Sequence, residues 1–379
     1  KKSIYKKDVW KRKKHIMSNQ ETVVEINLLN LKSNLDLIRS KLKNRTLIMA
    51  VVKASSYGSD SIIISKTLEE EKIDYLAVAY VSEGIKLRNE GVKTPILVLH
   101  PQINDFDKII DYNLEPSIYS FRILKAFISN KKFNKNYLFQ IKFNSGLNRL
   151  GFNKKDIGKL VESLGGLKPN FIFSHLGASE DLSELPYTNK QIETFSLMSE
   201  LFENKIGSKI KRHILNTSGI LNFSNSQFEM VRSGIGLYGY GNDPKYKHLF
   251  KPVINLKTVI SQIHKINKGE SVGYNKGFVA KKEIITATLP IGHADGISRQ
   301  YGNGKGKVVV NGEFAPIIGN VCMDMMMVDI SKINCKEGDI VIIFDDKNIS
   351  AEEFTKSVGT ISYEIITALS QRIKRVVVH

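Results

Sequence analysis

Cysteine is scarce in this chain, whose 379 residues include only Cys322 and Cys335. Two cysteines cannot build the disulfide framework of a small secreted protein. No apolar run approaches the ~18–20 residues that a membrane-spanning helix needs. The basic amino terminus is not followed by the apolar stretch of a secretory signal. We therefore expect a cytoplasmic protein with no membrane partner.

Acidic residues are also fewer than basic ones, and the formal net charge is +18. Residues 1–14 supply +7 of this charge, because eight Lys or Arg face only Asp8. The other lysines alternate with Asp and Glu along predicted helix faces, and no nucleic-acid motif or basic-aromatic stripe accompanies them. We predict no nucleic-acid partner. Residues 1–16 are predicted to be a basic tail, disordered or a linker from a longer polypeptide, with Met17 as the candidate start of the folded part.

From Thr46 onward, short apolar runs alternate with amphipathic segments, a pattern typical of βαβ units and a parallel sheet. The predicted strands are 47–53, 75–80, 95–100, 115–119, 137–144, 171–176, 212–216 and 230–237. The predicted helices include 61–71, 82–89, 121–129, 156–164 and 190–204. Eight strands over about 200 residues predict an α/β fold of the (β/α)8 TIM-type barrel class. A doubly wound sheet is the alternative, and the strand count favours closure.

The pattern changes after residue 251, where strands follow one another with glycine-containing turns between them. The predicted strands here are 253–266, 270–274, 284–289, 306–310, 314–318, 325–330 and 339–344. A helix at 363–371 and a strand at 375–379 end the chain. We therefore predict a barrel over residues 17–250, followed by a mostly β domain over residues 251–379.

Lys53 ends the first predicted strand and is followed at once by small residues, a tyrosine and a glycine. A single lysine in this position is more often a strand end that reaches water. Polar residues also lie within, end or follow four other predicted strands: Lys142, Asn144, Arg149, His175, Asn216, Thr217 and Arg232. Catalytic residues of barrels lie at the carboxyl ends of the strands. This convergence predicts an active site at that rim, with Lys53 as a partly desolvated amine able to attack a carbonyl.

Two glycine-containing segments, 216–219 (NTSG) and 233–236 (SGIG), also end strands with backbone N–H groups suited to an anion. Glycine after a strand is usually only turn chemistry. A lysine and a phosphate cradle on one barrel rim together point to pyridoxal phosphate as the cofactor. No metal site is predicted.

At these residues the chain resembles the alanine racemase family, whose members are barrel-type, fold-type III pyridoxal-phosphate enzymes. The resemblance runs from about residue 21 to the end. It is carried by VVKASSYG (51–58), KFNSGLNRLG (142–151), SH (174–175), MVRSGIGLYG (230–239), VGY (272–274), GNVCMD (319–324) and GTISYE (359–364). The cofactor-binding residues that the resemblance implies are Lys53, Tyr57, Arg149, His175, Asn216, Thr217, Arg232, Gly234, Ile235 and Tyr363. The implied substrate-binding residues are Arg149 and Met323.

The resemblance further implies interconversion of L-alanine and D-alanine, supplying D-alanine for peptidoglycan. Lys53 would be the base on the D-alanine face and Tyr274 the base on the L-alanine face. Tyr274 would come from a second copy in a homodimer. A tyrosine stays protonated at neutral pH, so we expect His175 and Arg232 to supply positive charge that favours its phenolate.

Three positions depart from the family pattern. His293 stands where a tyrosine usually lines the substrate entrance, which leaves side-chain selectivity open. Thr217 replaces a common serine and keeps the hydroxyl. Asn144 replaces a common aspartate near Lys142, and Lys142 falls where many members carry a carbamylated lysine.

Rival interpretations predict different features of the sequence. A barrel-type decarboxylase of basic amino acids or a broad-specificity racemase would share the cofactor site, but Tyr274 and the 319–324 loop favour racemisation over decarboxylation. A pyridoxal-phosphate carrier protein would consist of the barrel alone, whereas this chain continues for about 130 residues. A purely structural role for Lys53 leaves the other motifs unexplained.

Overall fold

Strands and helices alternate along most of the first 240 residues. The structure, a computed structural model, describes residues 21–241, 243 and 245–378. The strands are β1 (Val23–Asn27), β2 (Leu47–Val51), β3 (Tyr75–Val78), β4 (Ile96–Val98), β5 (Glu115–Ile118), β6 (Gln140–Lys142), β7 (Phe171–Phe173), β8 (Lys211–His213), β9 (Met230–Ser233), β10 (Ile254–Val259), β11 (Gln262–Ile266), β12 (Ser271–Val272), β13 (Phe278–Val279), β14 (Ile284–Leu289), β15 (Lys307–Val310), β16 (Glu313–Ile318), β17 (Met326–Asp329), β18 (Ile340–Phe344) and β19 (Lys374–Val378). The helices are α1 (Leu28–Arg39), α2 (Lys53–Tyr57), α3 (Ser61–Glu70), α4 (Val81–Asn89), α5 (Phe106–Asp111), α6 (Phe121–Ile128), α7 (Ile157–Leu164), α8 (Leu185–Ile206), α9 (Thr217–Asn222), α10 (Ala351–Lys356) and α11 (Ser362–Ala368).

Strands β2 to β9 form one eight-stranded sheet that closes on itself. The order is β8-β7-β6-β5-β4-β3-β2-β9, and every neighbouring pair is parallel, for example Leu47 opposite Met230. The two ends of this order are joined by a backbone hydrogen bond of 3.0 Å from Arg232 N to Leu215 O. The predicted (β/α)8 barrel is confirmed, and the doubly wound alternative is wrong.

The barrel strands lack an alternating pattern because both of their faces are covered. β2 reads LIMAV, with four of its five residues buried, and β4 and β7 are buried throughout. Parallel strands between a barrel interior and an outer layer of helices carry such continuous apolar runs. The predicted strands were longer than the observed ones, since apolar residues continue past the last ladder pair.

The five predicted helices of this region are all present, as α3, α4, α6, α7 and α8. Asp60 begins α3 by accepting hydrogen bonds from Ile62 N and Ile63 N, both at 2.9 Å. Helices α7 and α8 end at Gly165 and Gly207, which adopt the left-handed conformation that favours glycine. Local capping chemistry therefore sets where the barrel helices stop.

The β unit comprises Leu256–Phe344 together with residues 21–23. Its strands lie in the antiparallel order β11-β14-β17-β16-β15-β18-β10, beside the small hairpin β12-β13. The predicted strand 253–266 is two strands, because β10 pairs with β18 whereas β11 pairs with β14. The prediction of a mostly β region after the barrel is confirmed.

The barrel unit comprises Val24–Asn255 together with residues 345–378. Residues 345–378 thus group with the barrel although they follow the β unit in the chain. Helix α11 explains this grouping, because it packs closely against Gly58, the residue that ends α2 with a φ of 81°. A Cβ built on Gly58 would lie only 1.7 Å from Ile366 O. Arg375 adds hydrogen bonds to Gly58 O (2.9 Å) and Ser59 O (3.2 Å).

The predicted basic tail, residues 1–16, lies outside the described residues. Within the described part of the chain, no helix combines the length and the apolar character needed to cross a membrane.

Candidate active site

A cavity of about 840 Å³ opens at the carboxyl ends of the barrel strands. Eleven of the residues predicted for the site line it: Lys53, Tyr57, Lys142, Arg149, His175, Asn216, Thr217, Arg232, Gly234, Ile235 and Tyr363. Four of these side chains are cations, and Glu180 is the one carboxylate among the lining residues. The cavity is therefore suited to anionic groups.

Lys53 follows β2 directly and begins an unusual left-handed turn. Ala54, Ser55, Ser56 and Tyr57 all have φ values of 53° or 54°. Each such L-residue costs about 1–2 kcal/mol relative to the right-handed form. Strain of this kind persists only where the surroundings enforce it, and it is concentrated at functional sites.

Glu83, on α4, braces the Lys53 turn and was not predicted from the sequence. Its Oε1 accepts a hydrogen bond of 2.6 Å from Ala54 N, and its Oε2 accepts one of 2.7 Å from Ala79 N. Both oxygens are acceptors, so a carboxylate suits this position better than an amide. The position of Glu83 in the first turn of a helix was a weak signal, because acidic residues are common there.

The amines of the cavity have lowered basicity. Burial and the nearby Arg149 guanidinium lower the pKa of Lys53, and Glu83 opposes them. Burial, followed by the charges of Arg149, Arg232 and Lys53, lowers the pKa of Lys142 to about 7. The neutral amine of Lys142, which is the nucleophilic and basic form, is therefore present near neutral pH, and burial favours the same form of Lys53.

Arg232 is buried in β9 and is held from several sides. Its Nη2 donates to Ser174 O (2.7 Å) and Ile214 O (3.0 Å), and its Nη1 donates to His213 Nδ1 (2.5 Å). Burial lowers the pKa of Arg232 to about 9, so the guanidinium remains charged at neutral pH. His213 was missed from the sequence, because one histidine at a strand end carries no pattern of its own.

His175 is neutral, so the expectation that it supplies positive charge is wrong. Its Nδ1 accepts a hydrogen bond of 3.1 Å from Arg232 Nη2, a group that can only donate. Burial and the charge of Arg232 hold the pKa of His175 well below its ordinary range. Arg232 alone of the two carries the expected charge.

Two glycines make room for hydroxyl groups at one end of the cavity. A Cβ on Gly234 would lie 2.4 Å from Tyr57 Oη, and a Cβ on Gly236 would lie 2.5 Å from Thr217 Cγ2. Tyr57 stacks on Tyr238 at 4.5 Å between ring centroids and has little freedom to move. The glycines are therefore required by the side chains opposite them.

The segment 216–219 has a different use from the expected one. The Asn216 side chain accepts hydrogen bonds from Gly219 N (2.9 Å) and Ser179 Oγ (2.7 Å), and it begins α9. Of the backbone N–H groups in this segment that were expected to face an anion, that of Gly219 is occupied by this capping bond. Thr217 Oγ1 likewise accepts from Gly234 N and Gly236 N, both at 3.3 Å.

Replacement of Gly234 by alanine is expected to raise the Kd of the protein for pyridoxal phosphate about tenfold, since a loss near 1.4 kcal/mol is typical for one displaced polar contact. The new methyl group would push the Tyr57 hydroxyl out of place. Titration of absorbance with the cofactor measures the Kd. Gly158→Ala is the matched control, because nothing lies within 4 Å of its added methyl. An unchanged Kd for Gly234→Ala would contradict a phosphate-binding role for the Tyr57 hydroxyl beside Gly234.

Tyr274 and Met323 belong to the β unit and are not among the residues that line this cavity. Both are exposed, Tyr274 by 73% and Met323 by 59%. Their segments are tied together, because Asn320 Nδ2 donates to Tyr274 O (2.9 Å). His293 N donates to Cys322 O (2.9 Å) in the same group of loops. Within the described residues, no group of three or more His, Cys, Asp or Glu is placed to hold a metal ion.

The unfavourable protonation of Lys142 predicts a pH dependence of stability. The unfolded chain binds its proton up to about pH 10.5, whereas the folded chain releases it near pH 7. Between these values the unfolded state holds more protons than the folded state. The free energy of unfolding therefore rises with pH, by up to about 1.4 kcal/mol per pH unit. Denaturation with urea in carbonate-free buffer from pH 6.5 to 10 should show this rise. Lys142→Met should reduce this pH dependence and be more stable than the wild-type protein at pH 7. The same slope in the variant and the wild type would contradict a lowered pKa of Lys142.

The closed barrel and its cation-lined cavity define a (β/α)8-barrel enzyme with a lysine at the end of its first strand. Family models for "Alanine racemase, N-terminal domain" and "Alanine racemase, C-terminal domain" match residues 26–242 and 253–377. The chain belongs to the alanine racemase family, and it is a racemase, an isomerase.

Individual relatives agree with the family assignment. The alanine racemase of Clostridium novyi is 37% identical over 368 residues, which cover 93% of this chain and 94% of that protein. The structure of Bacillus anthracis alanine racemase with bound L-Ala-P has a TM-score of 0.88 and 29% identity, and the match covers 95% of each chain. The Clostridium difficile 630 enzyme in complex with cycloserine has a TM-score of 0.84 and 31% identity, covering 94% of this chain and 95% of that one.

Proposed function

We propose that this enzyme interconverts L-alanine and D-alanine with pyridoxal phosphate as its cofactor, by a two-base mechanism, and so supplies D-alanine for peptidoglycan in the cytoplasm. The observation that carries the proposal is Lys53, a lysine with lowered pKa at the end of the first barrel strand, in a cavity whose other cations suit a phosphate and a carboxylate. The related enzymes that hold L-Ala-P or cycloserine support a small amino-acid-like substrate.

The residues of the cavity fit pyridoxal phosphate. Lys53 would bind its aldehyde carbon, and Arg232 would face the pyridine nitrogen. The hydroxyls of Tyr57, Thr217 and Tyr363, beside the space left by Gly234, would hold the phosphate. When bound, the cofactor withdraws electrons from the α-carbon of the amino acid and makes its proton acidic.

Lys53 would move the proton on one face of the substrate. Once the substrate amine has taken its place on the cofactor, the released Lys53 amine would take the α-proton of D-alanine or return one to that face. The low pKa of Lys53 favours the neutral amine that this step needs. Arg149, in the same cavity, would bind the substrate carboxylate and hold the α-carbon within reach.

Arg232 would limit side reactions. A guanidinium that stays charged donates hydrogen bonds but does not hand over a proton, so it stabilises negative charge on the ring nitrogen without protonating it. Its bonds to Ser174 O and Ile214 O fix it in one position. We therefore expect a proton to return to the α-carbon in preference to transamination.

Tyr274 would act on the opposite face, from a second copy of the chain. Its ring is 73% exposed, which leaves it accessible to a partner. The Met323 amide would contact the substrate carboxylate. We therefore propose a homodimer as the smallest active form; sedimentation of the protein across a concentration series, in parallel with activity, tests it.

Lys142 is proposed to form a carbamate with dissolved CO2. Its neutral amine forms an N–C bond to CO2, the electron pair of one C=O bond moves onto oxygen, and one proton is released, so an uncharged group becomes a negative one beside Arg149 and Arg232. The carbamate would orient Arg149. A carbamate signal in the ¹³C NMR spectrum after addition of ¹³C-bicarbonate, absent in Lys142→Met, tests this step.

The decisive test of function is incubation of the purified protein and pyridoxal phosphate with L-alanine, followed by chiral chromatography. We expect D-alanine to accumulate to an equal mixture, and the reverse from D-alanine. Formation of an amine with release of CO2 would favour the decarboxylase instead. Racemisation of serine or lysine at rates equal to alanine would favour a broad-specificity racemase, for which His293 leaves room.

A further inference from the structure

A chain of buried polar side chains crosses the barrel interior and ends at Arg232. Glu115 and Gln140 begin β5 and β6, so they lie at the amino ends of the strands, opposite the cavity. His213 ends β8, and Arg232 lies in β9. All four side chains are buried. Residues at the amino ends of barrel strands usually serve stability, but here they are connected to the site.

Each link of the chain is a hydrogen bond of ordinary length or shorter. Gln140 Nε2 lies 2.9 Å from Glu115 Oε2, and Gln140 Oε1 lies 2.9 Å from His213 Nε2. His213 Nδ1 then lies 2.5 Å from Arg232 Nη1. The connection from the Glu115 carboxylate to the Arg232 guanidinium is therefore continuous.

Glu115 sets the direction of these bonds. Its carboxylate also accepts hydrogen bonds from Asn170 Nδ2 (2.9 Å) and Tyr75 Oη (3.2 Å). The two amide NH2 groups can only donate and share Glu115 Oε2, so this oxygen acts as an acceptor toward both. The Gln140 amide must therefore turn its NH2 group toward Glu115 and its oxygen toward His213.

The tautomer of His213 follows from that orientation. An amide oxygen only accepts and a guanidinium only donates, so His213 must carry its proton on Nε2 and accept at Nδ1. The ring stacks on Phe173 at 4.8 Å with an interplanar angle of 3°, which fixes the plane of the imidazole. Burial and the charge of Arg232 keep the pKa of His213 well below its ordinary range, in agreement with a neutral ring.

We propose that Glu115 and Gln140 are positioning residues for Arg232: Glu115 orients the Gln140 amide, which holds His213 in the Nε2–H tautomer and keeps Nδ1 as the acceptor for the guanidinium. The reversed amide would place an N–H against His213 Nε2 and force the proton to Nδ1, opposite an Arg232 donor. Arg232 would then lose the shortest of its hydrogen bonds. This role rests on the proposed function, in which Arg232 faces the cofactor.

The first experiment is ¹⁵N NMR of histidine-labelled wild-type protein without cofactor, with the His213 signals assigned from a His213→Gln variant. We expect a protonated Nε2 and an unprotonated Nδ1 from pH 6 to 9. A proton on Nδ1, or an imidazolium in that range, overturns the proposal. This measurement requires no turnover, so its failure is distinguishable from a failure to racemise alanine.

The second experiment compares three variants. Glu115→Met removes the acceptor at similar volume and should give mixed His213 tautomers and a kcat about tenfold lower, with KM within about twofold, as expected for one misplaced hydrogen bond. Glu115→Gln keeps an acceptor oxygen and should retain the wild-type tautomer and kcat. Tyr75→Phe removes one donor to the same carboxylate and should lower stability only.

Three results overturn the proposal in this comparison. One is a Glu115→Met protein with the wild-type tautomer and kcat. Another is a Glu115→Gln protein as impaired as Glu115→Met, because the charge rather than the orientation would then matter. The third is a Tyr75→Phe protein with the same loss of kcat as Glu115→Met, which would mark a structural effect. If Glu115→Met does not fold, the His213 tautomer measured in the wild-type protein still tests the proposal.

Discussion

Alanine in place of Lys53 is expected to lower the rate of racemisation by about 10⁴-fold or more, because in the proposed function one side chain both binds the cofactor covalently and, once released, acts as a base. Burial and the nearby Arg149 lower the pKa of Lys53, which favours the neutral amine that acts as a base. Chiral chromatography of the products from L-alanine and from D-alanine measures the rate. Absorbance of the bound cofactor shows whether the cavity is still filled.

Two further variants complete the Lys53 test. Lys53→Arg keeps the positive charge but remains protonated, and it should be as inactive as Lys53→Ala. Lys154→Ala removes an exposed lysine and should have wild-type activity. More than a tenth of the wild-type rate in Lys53→Ala would show that the lysine ends a strand and nothing more.

Phenylalanine in place of Tyr274 is expected to slow racemisation in both directions by about 10²–10⁴-fold, the usual contribution of a single acid–base group. Only the hydroxyl is lost, and the ring is mostly exposed, so the fold should not change. In D2O, the variant should still exchange the α-proton of D-alanine through Lys53. It should not exchange that of L-alanine at a comparable rate.

NMR of the α-proton, together with chiral chromatography, separates exchange from inversion in this variant. Tyr112→Phe, which removes a hydroxyl at the end of α5, serves as the control and should behave as wild type. Undiminished racemisation by Tyr274→Phe would rule out Tyr274 as the second base. Exchange of both enantiomers without racemisation would instead show that a base other than Tyr274 serves the L-alanine face.

The barrel could be predicted because its strands are apolar runs at regular intervals with amphipathic helices between them. The ends of these strands were predicted too far along the chain. The apolar run of β2, for example, continues into Val52, beyond the last residue that pairs with β3. The prediction of one strand over 253–266 failed for a related reason. Its apolar pattern is continuous, and only the different partners of β10 and β11 separate the two strands.

Much of the site was also predictable, because side chains that end parallel strands share one rim of the barrel. Lys53, Arg149 and Arg232 were placed in one cavity on that ground, and the structure brings them together. Glu83 and Gln140 could not be found in this way. Their roles depend on which backbone N–H or side chain lies opposite them, and that is decided by packing between elements far apart in the chain.

The sequence by itself determined the order of strands and helices and the positions of the polar residues at strand ends, since both follow from local apolar periodicity. Only the tertiary structure decided the charge and the orientation of those residues. His175 is neutral because it is buried and accepts a hydrogen bond from Arg232, and Lys142 has a low pKa because its amine is buried near three cations. Such properties come from distances across a closed barrel, which no stretch of neighbouring residues specifies.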